Sequence, residues 1–209
     1  MGVEPFFGNR AGDVKKIMRI NTFKTLVQKT RTVRRFYQDQ RVKRADLLEL
    51  VNLARLSASG GNLQLLKFIL SCDPKRNARI FPCLAWAGYL KTWDGPVEGE
   101  RPAAYIIILG DTTIRREFGC DHGIAAQSIM LGATAKGLGG CIIGSIKRER
   151  LRGVLAIPVK YEILFVLALG RPMEKVVLET VKAGDIKYWR DAKGRHHVPK
   201  RSLREIVLK

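Results

Sequence analysis

Two arginines three positions apart define the first segment of the chain that can bind a ligand. Arg31, Thr32 and Arg34 lie in the stretch Arg-Thr-Val-Arg-Arg-Phe over residues 31–36. A turn or helix start can direct both guanidinium groups, the threonine hydroxyl and backbone N–H groups at one phosphate dianion. The alternative is an ordinary solvated basic face, and the hexapeptide alone leaves both interpretations open.

A glycine-rich loop is the second candidate segment, with the sequence Ser-Gly-Gly-Asn-Leu-Gln over residues 59–64. Its glycines permit unusual backbone dihedrals and the close approach of a flat ligand. Asn62 and Gln64 carry both donors and acceptors, as the edge of a pyrimidine requires. The alternative is an ordinary turn that follows a helix.

The third candidate segment is the stretch Gly-Leu-Gly-Gly-Cys-Ile-Ile-Gly over residues 137–144. Its backbone amides could point at a ring nitrogen that gains electron density on reduction. The alternative is that these glycines only form the turn that connects a helix to a strand. Taken together, the three segments predict a mononucleotide site that is assembled from separate parts of the chain.

Length and composition favour one globular domain. The chain has 209 residues, of which 46% are hydrophobic, and this suits a substantial core with an appended arm. The longest apolar runs, 103–109 and 163–169, are far too short to cross a bilayer. No apolar stretch follows the charged start, so we expect no secretory signal and a cytoplasmic protein.

Metal and disulfide chemistry have little support in the sequence. The four cysteines form no Cys-x-x-Cys pair, and a chain of this length does not need disulfides. The three histidines, His122, His196 and His197, show no metal-ligand spacing with acids or cysteines. We therefore expect no metal site.

The net charge of +19 is large enough to raise the question of a nucleic-acid partner. The basic residues are spread along the chain, however, and no RNA-binding or helix-turn-helix signature is present. These two observations argue against nucleic acid as the primary partner. The charge also fits a protein that gathers anionic cofactors.

Hydrophobic periodicity predicts a single series of helices and strands without internal repeats. Residues 21–30 form a short helix with Asn21 as its N-cap, and Leu47, Leu48, Val51 and Ala54 share the apolar face of a helix over 44–57. The remaining predicted elements are strands at 66–71, 103–109 and 161–169, a buried helix at 121–136, a strand at 141–143 and a short helix at 147–155.

Three regions follow from this organisation. Residues 1–20 are expected to form a surface arm or to be partly disordered, and residues 21–173 form the ligand-binding domain. Residues 174–209 are polar with little core of their own, so they are predicted to wrap another surface. The irregular segment 75–101 is long for a plain connection, and its Trp86, Tyr89 and Trp93 either form an aromatic wall over the pocket or simply pack the loop.

Five ordered motifs give the chain a resemblance to the FMN-dependent nitroreductase family. That family has an Arg-Ser-x-Arg-x-Phe stretch after its first helix, a Pro-Ser-x-x-Asn-x-Gln-Pro loop, a buried central helix, a following turn and strand, and a terminal basic motif. The matching segments here are 31–36, 58–65, 121–127, 137–144 and 199–201. The resemblance extends from about residue 22 to the C-terminus.

The resemblance implies a fold and a set of partners. The fold is an α+β three-layer sandwich, with a central mixed sheet and flanking helices. Two chains form an intimate homodimer, two FMN molecules lie at its interface, and the C-terminal arm crosses to the other subunit. Neither a membrane nor a nucleic-acid partner is implied.

The resemblance also implies the residues that bind the cofactor. Arg31, Thr32 and Arg34, with Arg201 or Lys200, hold the FMN phosphate, and the loop and the glycine-rich strand line the ring. Backbone amides of Ile143 and Gly144 lie near the flavin N5. The complete set is Arg31, Thr32, Arg34, Ser59, Gly60, Asn62, Gln64, Gly140, Cys141, Ile142, Ile143, Gly144, Lys200 and Arg201.

The implied reaction is a ping-pong oxidoreduction in which NAD(P)H reduces FMN and a nitroaromatic or quinone then takes the electrons. No catalytic side chain is required, because the cofactor carries the chemistry. The chain departs from the family pattern at Thr32, at Ala58 and Leu65 in place of two prolines, and at Ile143, where well-studied nitro-reducing members have an acid. Dehalogenation, a specialised oxidation, or a flavin- or nucleic-acid-binding role with little catalysis remain as alternatives.

Overall fold

The computed structural model describes residues 19–208, so most of the predicted N-terminal arm, residues 1–18, lies outside the described residues. The helices are Ile20–Lys29 (α1), Arg44–Leu56 (α2), Pro74–Ile80 (α3), Asp121–Ala135 (α4), Arg148–Leu155 (α5) and Leu203–Ile206 (α6). The strands are Phe36–Tyr37 (β1), Leu66–Ser71 (β2), Ala104–Asp111 (β3), Gly139–Ile143 (β4), Tyr161–Pro172 (β5), Val176–Thr180 (β6), Trp189–Arg190 (β7) and His196–Lys200 (β8).

The long strand β5 organises the central sheet. One edge of β5 pairs with β3, which in turn pairs with β2, and the other edge pairs with both β4 and β1. These ladders are antiparallel. The parallel element is a single bridge between Thr32 and Gly140, which connects the arginine-containing turn to the glycine-rich strand.

Alternation along β3 divides the core between the two faces of the sheet. Ile106 and Ile108 pack with α2 and α4, whereas Tyr105 and Ile107 pack with α5 and the segment after α3. Every residue of β3 is buried, as expected for a strand that is covered on both faces. Helices therefore flank the sheet on both sides, and the α+β sandwich is confirmed.

Most of the predicted elements agree with the structure. The strand at 66–71 matches β2, and the helices at 44–57 and 121–136 match α2 and α4 to within a residue. The N-cap assignment was wrong, because Arg19 precedes α1 and Asn21 lies inside it, where its carbonyl accepts the Thr25 hydroxyl. On α2 it is Leu50 that is buried, while Leu48 is exposed.

All of α3 except Pro74 lies inside the segment 75–101, which was expected to be irregular. Asp73 caps it, since its carboxylate accepts the backbone N–H of Arg76 at 2.7 Å. Pro74 occupies the first helical position, where its missing N–H costs no hydrogen bond. This pair of residues is the local signal for the helix.

The C-terminal region forms a second, smaller sheet. In this sheet β8 pairs in parallel with β6 and antiparallel with β7. The sheet is joined to the domain of its own chain through Glu174, Tyr188 and His196. Arm exchange with a second subunit remains a prediction. In the part of the chain that the structure describes, no helix is both long and apolar enough to span a membrane.

Candidate functional site

The turn after α1 is fixed from three directions. The Arg31 guanidinium donates through Nη2 to the carbonyl of Val27 at 2.9 Å, back along α1. The backbone N–H of Val33 donates to the carbonyl of Gly140 at 2.8 Å, which attaches the turn to β4. The carboxylate of Glu174 accepts the backbone N–H groups of Arg34 and Arg35, so the tail holds the same turn from the other side.

These contacts surround a cleft of about 300 Å³ between the turn, α4, β4 and the C-terminal sheet. Two of its walls, the turn and the C-terminal sheet, carry basic side chains. The lining residues are Thr30, Arg31, Thr32, Arg34, Gln127, Met130, Ile142, Tyr188, His196, Val198 and Lys200. Arg31 and Lys200, which were predicted to contact the phosphate from distant parts of the chain, therefore share one cavity.

Arg31 has two features that suit an anion ligand. Its Nε atom is buried and has no hydrogen-bond partner among the described residues. Burial lowers the pKa of the guanidinium below its ordinary value, because a charge in a poorly solvated position is unfavourable. A phosphate oxygen at this position would satisfy the free N–H and compensate the charge.

Arg34 is almost completely buried, and its charged group is held by two residues of the tail. Its Nη1 atom lies 3.1 Å from Nε2 of His196, and its guanidinium carbon lies 4.7 Å from the centre of the Tyr188 ring. Burial, and then the charge of Arg34, lower the pKa of His196 to about 4. His196 is therefore neutral at physiological pH.

The neutral state fixes the tautomer of His196. An arginine can only donate, so Nε2 must be the acceptor and Nδ1 must carry the hydrogen. Nδ1 is buried and has no partner among the described residues. The wall of the cleft therefore contains one unused buried N–H group besides that of Arg31.

Glu174 is the counter-ion of this cluster. Its side chain is fully buried and accepts a hydrogen bond from Nη2 of Arg190 at 3.0 Å. Arg190 in turn lies 4.2 Å over the ring of Trp93. Sequence reasoning missed Glu174, Tyr188 and His196, because a single acid and two aromatic rings in a polar tail form no recognisable motif.

Strand alternation decides which residues of β4 reach the cleft. Ile142 is partly exposed and lines it, whereas Cys141 and Ile143 point into the core on the other face. Burial raises the pKa of the Cys141 thiol to about 11. Gly140 is buried between neighbours, and Gly144 is exposed just after the strand, so only their backbone groups are available.

The predicted loop lies at the beginning of α4, beside a second groove of about 350 Å³. Asp121 holds it, because its carboxylate accepts the Ser59 hydroxyl at 2.6 Å and the Gly60 N–H at 2.9 Å. Asn62 and Gln64 line this groove with their side chains exposed. Asp121 was not among the predicted site residues, although it begins the predicted helix.

The loop presents these side chains at the cost of backbone strain. Gly61, Asn62 and Gln64 have φ values of 56°, 53° and 50°, in the left-handed region that glycine and asparagine tolerate best. Such strain in a non-glycine residue costs of order 1–3 kcal/mol and is concentrated at functional sites. The conformation thus supports a binding role for Gln64 in particular.

The two grooves are separate within one chain. Gln127 and Met130 of α4 line the first cleft, whereas Asp121 and Ala125 of the same helix line the second. The structure brings Arg31, Thr32, Arg34, Ile142 and Lys200 together, but it does not bring the loop to them. Arg201 also stays outside the cleft and lies 3.6 Å from Glu205.

The aromatic residues of the segment 75–101 divide between the two roles considered for them. Trp86 is buried against Phe81, with ring centres 5.8 Å apart, so it packs the loop. Tyr89 is exposed and lies 5.0 Å from the ring of Tyr188, which lines the cleft. Only Tyr89 is placed to extend a wall of the cavity.

The fold and the cleft define a three-layer α+β protein with a cationic binding pocket. The model of the nitroreductase family matches residues 27–171, so the chain belongs to that family. The protein of Archaeoglobus fulgidus named "Putative NADH dehydrogenase/NAD(P)H nitroreductase" is 25% identical over 154 residues, covering 70% of this chain and 83% of its own length.

Solved structures support the fold assignment. The FMN-dependent nitroreductase from Clostridium difficile R20291 superposes with a TM-score of 0.61 at 23% identity, covering 72% of this chain and 87% of that one. The nitroreductase family protein from Streptococcus pneumoniae TIGR4 superposes with a TM-score of 0.65 at 17% identity, covering 90% and 99%.

Proposed function

We propose that the chain is an FMN-dependent NAD(P)H oxidoreductase whose cofactor binds in the cleft at Arg31. The observation that carries this proposal is the unpaired buried Nε atom of Arg31, in a cavity that also contains Arg34 and Lys200. These three cations and the hydroxyl of Thr32 match the charge and the acceptor oxygens of a phosphate monoester. The name of the Clostridium difficile protein, an FMN-dependent nitroreductase, is consistent with this ligand.

We further propose that the cofactor site is completed by the loop of a second subunit. The polar side chains of Asn62 and Gln64 are exposed, and their groove shares no lining residue with the cleft at Arg31. The face of α4 between the two grooves exposes Gly123, Ile124 and Gln127. Packing a second copy on this face would bury apolar surface and supply the pyrimidine-binding groups.

When bound, FMN supplies the redox chemistry, accepting a hydride from NAD(P)H and passing electrons to a nitroaromatic or quinone acceptor in a ping-pong cycle. The chain itself binds and orients the cofactor and excludes water from it. Arg34 holds a positive charge in a buried position next to β4, where it favours negative charge on a ligand. Ile142 provides an apolar wall.

The acceptor is expected to differ from those of family members that carry an acid in β4. Ile143 points into the core, so its position contributes a backbone amide and no carboxylate to the site. Cys141 also faces away, and its raised pKa keeps it as an inert thiol. No side chain of β4 can therefore exchange a proton with an acceptor, which favours substrates that take their protons from solvent.

The experiment is a spectrum of the purified protein, followed by anaerobic titration with each nicotinamide. A yellow protein that bleaches with NADH or NADPH and regains its colour with a quinone supports the proposal. A colourless protein whose spectrum and melting temperature ignore added FMN overturns it. Gel filtration with light scattering tests the dimer separately, because a flavin-loaded monomer would contradict the role of the second subunit alone.

A further inference from the structure

Two basic segments that are far apart in the sequence lie side by side on the surface formed by α3 and α5. The two helices contact each other. The backbone N–H of Lys147, just before α5, donates to the carbonyl of Cys83 at 2.8 Å, and Leu84 forms a bridge with Ile146. The residues after α3 and before α5 are therefore attached to one another.

This surface carries five cations, which we call the α3–α5 basic face: Lys75, Arg76, Arg79, Lys147 and Arg150. Four of them are exposed and Arg76 is half-buried. In the part of the chain that the structure describes, no carboxylate lies within ion-pair distance of any of the five.

Two of these cations, Lys147 and Arg150, lie near the buried thiol of Cys83. Cys83 donates through Sγ to the carbonyl of Arg79 at 3.6 Å. Burial raises the pKa of this thiol, and the charges of Arg150 and Lys147 oppose the increase. Cys83 therefore contacts the backbone of α3 and lies within electrostatic range of two cations at the start of α5.

Acidic groups near the face are occupied elsewhere. Asp73 caps α3 by accepting the N–H of Arg76, and Glu149 is 89% exposed and lies 4.0 Å from Arg152. Some cations in other regions, such as Arg35 with Glu100, have a direct partner, whereas the α3–α5 basic face groups five cations that are unpaired within the described chain on two contacting segments. A cluster of uncompensated charges repels itself and attracts a polyanion.

We infer that the α3–α5 basic face binds the phosphate backbone of nucleic acid without reading its sequence. Cations three or four residues apart on a helix are about 5–6 Å apart, and packed helices lie about 8–10 Å apart. The face thus offers two rows of donors to successive phosphates, and three of the five are arginines, which bind phosphate in bidentate fashion.

The composition of the face favours nucleic acid over an anionic membrane. No large apolar side chain of α3 or α5 is exposed in the described chain, so these helices offer no side chain that could insert into a lipid bilayer. The sequence alone argued against nucleic acid because the basic residues are dispersed. The fold brings residues 75–79 and 147–150 together, which removes that objection.

The test uses the full-length protein saturated with FMN and a short fluorescent DNA duplex, with anisotropy measured over a range of salt concentrations. The variant is Arg79→Gln/Lys147→Gln/Arg150→Gln. The matched control is Lys182→Gln/Lys187→Gln/Lys193→Gln, which removes the same charge from exposed positions of the tail. Melting temperature and FMN affinity are measured for each protein.

The face variant is expected to lose at least about tenfold in affinity at ~0.1 M salt, and its log–log salt slope should become shallower by about 2–3. The control should change less than about twofold. Equal losses in both variants would show that only net charge matters and would overturn the inference. The inference is also overturned if the protein does not bind the DNA duplex, and the face variant instead loses binding to phosphatidylserine vesicles. Normal FMN binding in the face variant separates this result from the proposed enzymatic function.

Discussion

Glu174 accepts the backbone N–H of Arg34 through Oε1 of its carboxylate, while Oε2 accepts Arg190. One buried acid of the tail therefore shapes the turn that carries the proposed phosphate ligands. The contact joins residues 140 positions apart in the chain. Because the side chain of Glu174 is fully buried, solvent cannot reach it to replace a missing partner.

Glu174→Gln is expected to destabilise the protein by about 3 kcal/mol and to weaken FMN binding, because removing one partner of a buried ion pair leaves Arg190 uncompensated. Urea unfolding and flavin titration measure the two effects. Glu117→Gln is the matched control, since this glutamate is 86% exposed and lies 3.6 Å from Arg115. Its effect on stability should stay within about 0.5 kcal/mol. Equal behaviour of the two variants would refute the role of Glu174.

His196 should make the folded protein sensitive to acid. Its pKa is about 4 in the folded chain and 6.5 in the reference state, so the unfolded chain binds more protons between these values. The contribution of His196 is therefore complete above about pH 6.5 and is lost as the pH falls towards about 4. The loss amounts to roughly 3 kcal/mol.

The His196→Gln variant, which stays neutral and still accepts from Arg34, should lose less stability than the wild type between about pH 6.5 and 4. His197→Gln is the control. Hydrogen bonds to Glu179 and then to Asp191 raise the pKa of His197, so its contribution is present below about pH 6.5 and is lost as the pH rises through the raised value. Between about pH 6.5 and 4, the free energy of unfolding of this control should therefore fall by as much as that of the wild type. If the free energy of unfolding of His196→Gln falls as much as that of the wild type, His196 is not held buried and neutral in the folded protein.

Arg31→Ala should weaken FMN binding by roughly 1.5–3 kcal/mol, the value of one charge-assisted hydrogen bond to a phosphate. Fluorescence quenching of free FMN gives the dissociation constant directly. Lys29→Ala removes a nearby exposed cation from the last turn of α1 and should change the constant less than about twofold. If both variants bind FMN like the wild type, Arg31 is not a ligand.

Two glycines should respond oppositely to the same substitution. A Cβ atom at Gly140 would lie 2.8 Å from the carbonyl oxygen of Ala168 and 2.7 Å from Leu169, and the backbone contact cannot relax. Gly140→Ala should therefore cost about 1–3 kcal/mol. Gly153, inside α5, has open space around it, so Gly153→Ala should stabilise by about 0.5–1 kcal/mol. Thermal unfolding separates the two, and a harmless Gly140→Ala would show that β4 is loosely packed.

Local sequence patterns were sufficient to predict most helices and strands of the domain. The buried strand β3 follows from an uninterrupted apolar run, and Gly137 ends the region of α4 with a φ of 70°, as glycine does after helices. The helix α3 could also have been predicted from Asp73 and Pro74.

Long-range contacts were beyond the reach of the sequence. The parallel pairing of β6 with β8 and the burial of Glu174 depend on partners that no local period encodes. The motif match named Arg31, Arg34 and Lys200 but gave no reason for His196 or Tyr188 to hold Arg34. Those contacts follow from the way the tail folds onto its own domain.

Hybrid dimers provide a direct test of a site shared between subunits. One chain carries Arg31→Ala, and the other carries Asn62→Gly/Gln64→Gly, which removes the loop side chains while glycine accommodates their positive φ values. If each site combines the arginine turn of one subunit with the loop of the other, the hybrid has one intact site and one doubly damaged site. Each homodimer has two singly damaged sites.

The hybrid, purified through two different tags, should therefore bind one FMN per dimer with wild-type affinity, whereas each parent dimer binds weakly. The physical reason is that the cleft at Arg31 and the groove at Gln64 share no lining residue within one chain, so neither half can compensate for damage in the other. A site built within a single chain would leave both sites of the hybrid defective. Weak binding by the hybrid would instead mean that the arginine turn and the loop of one site belong to the same chain. Full binding by the Asn62→Gly/Gln64→Gly homodimer would mean that the loop is not part of the cofactor site at all.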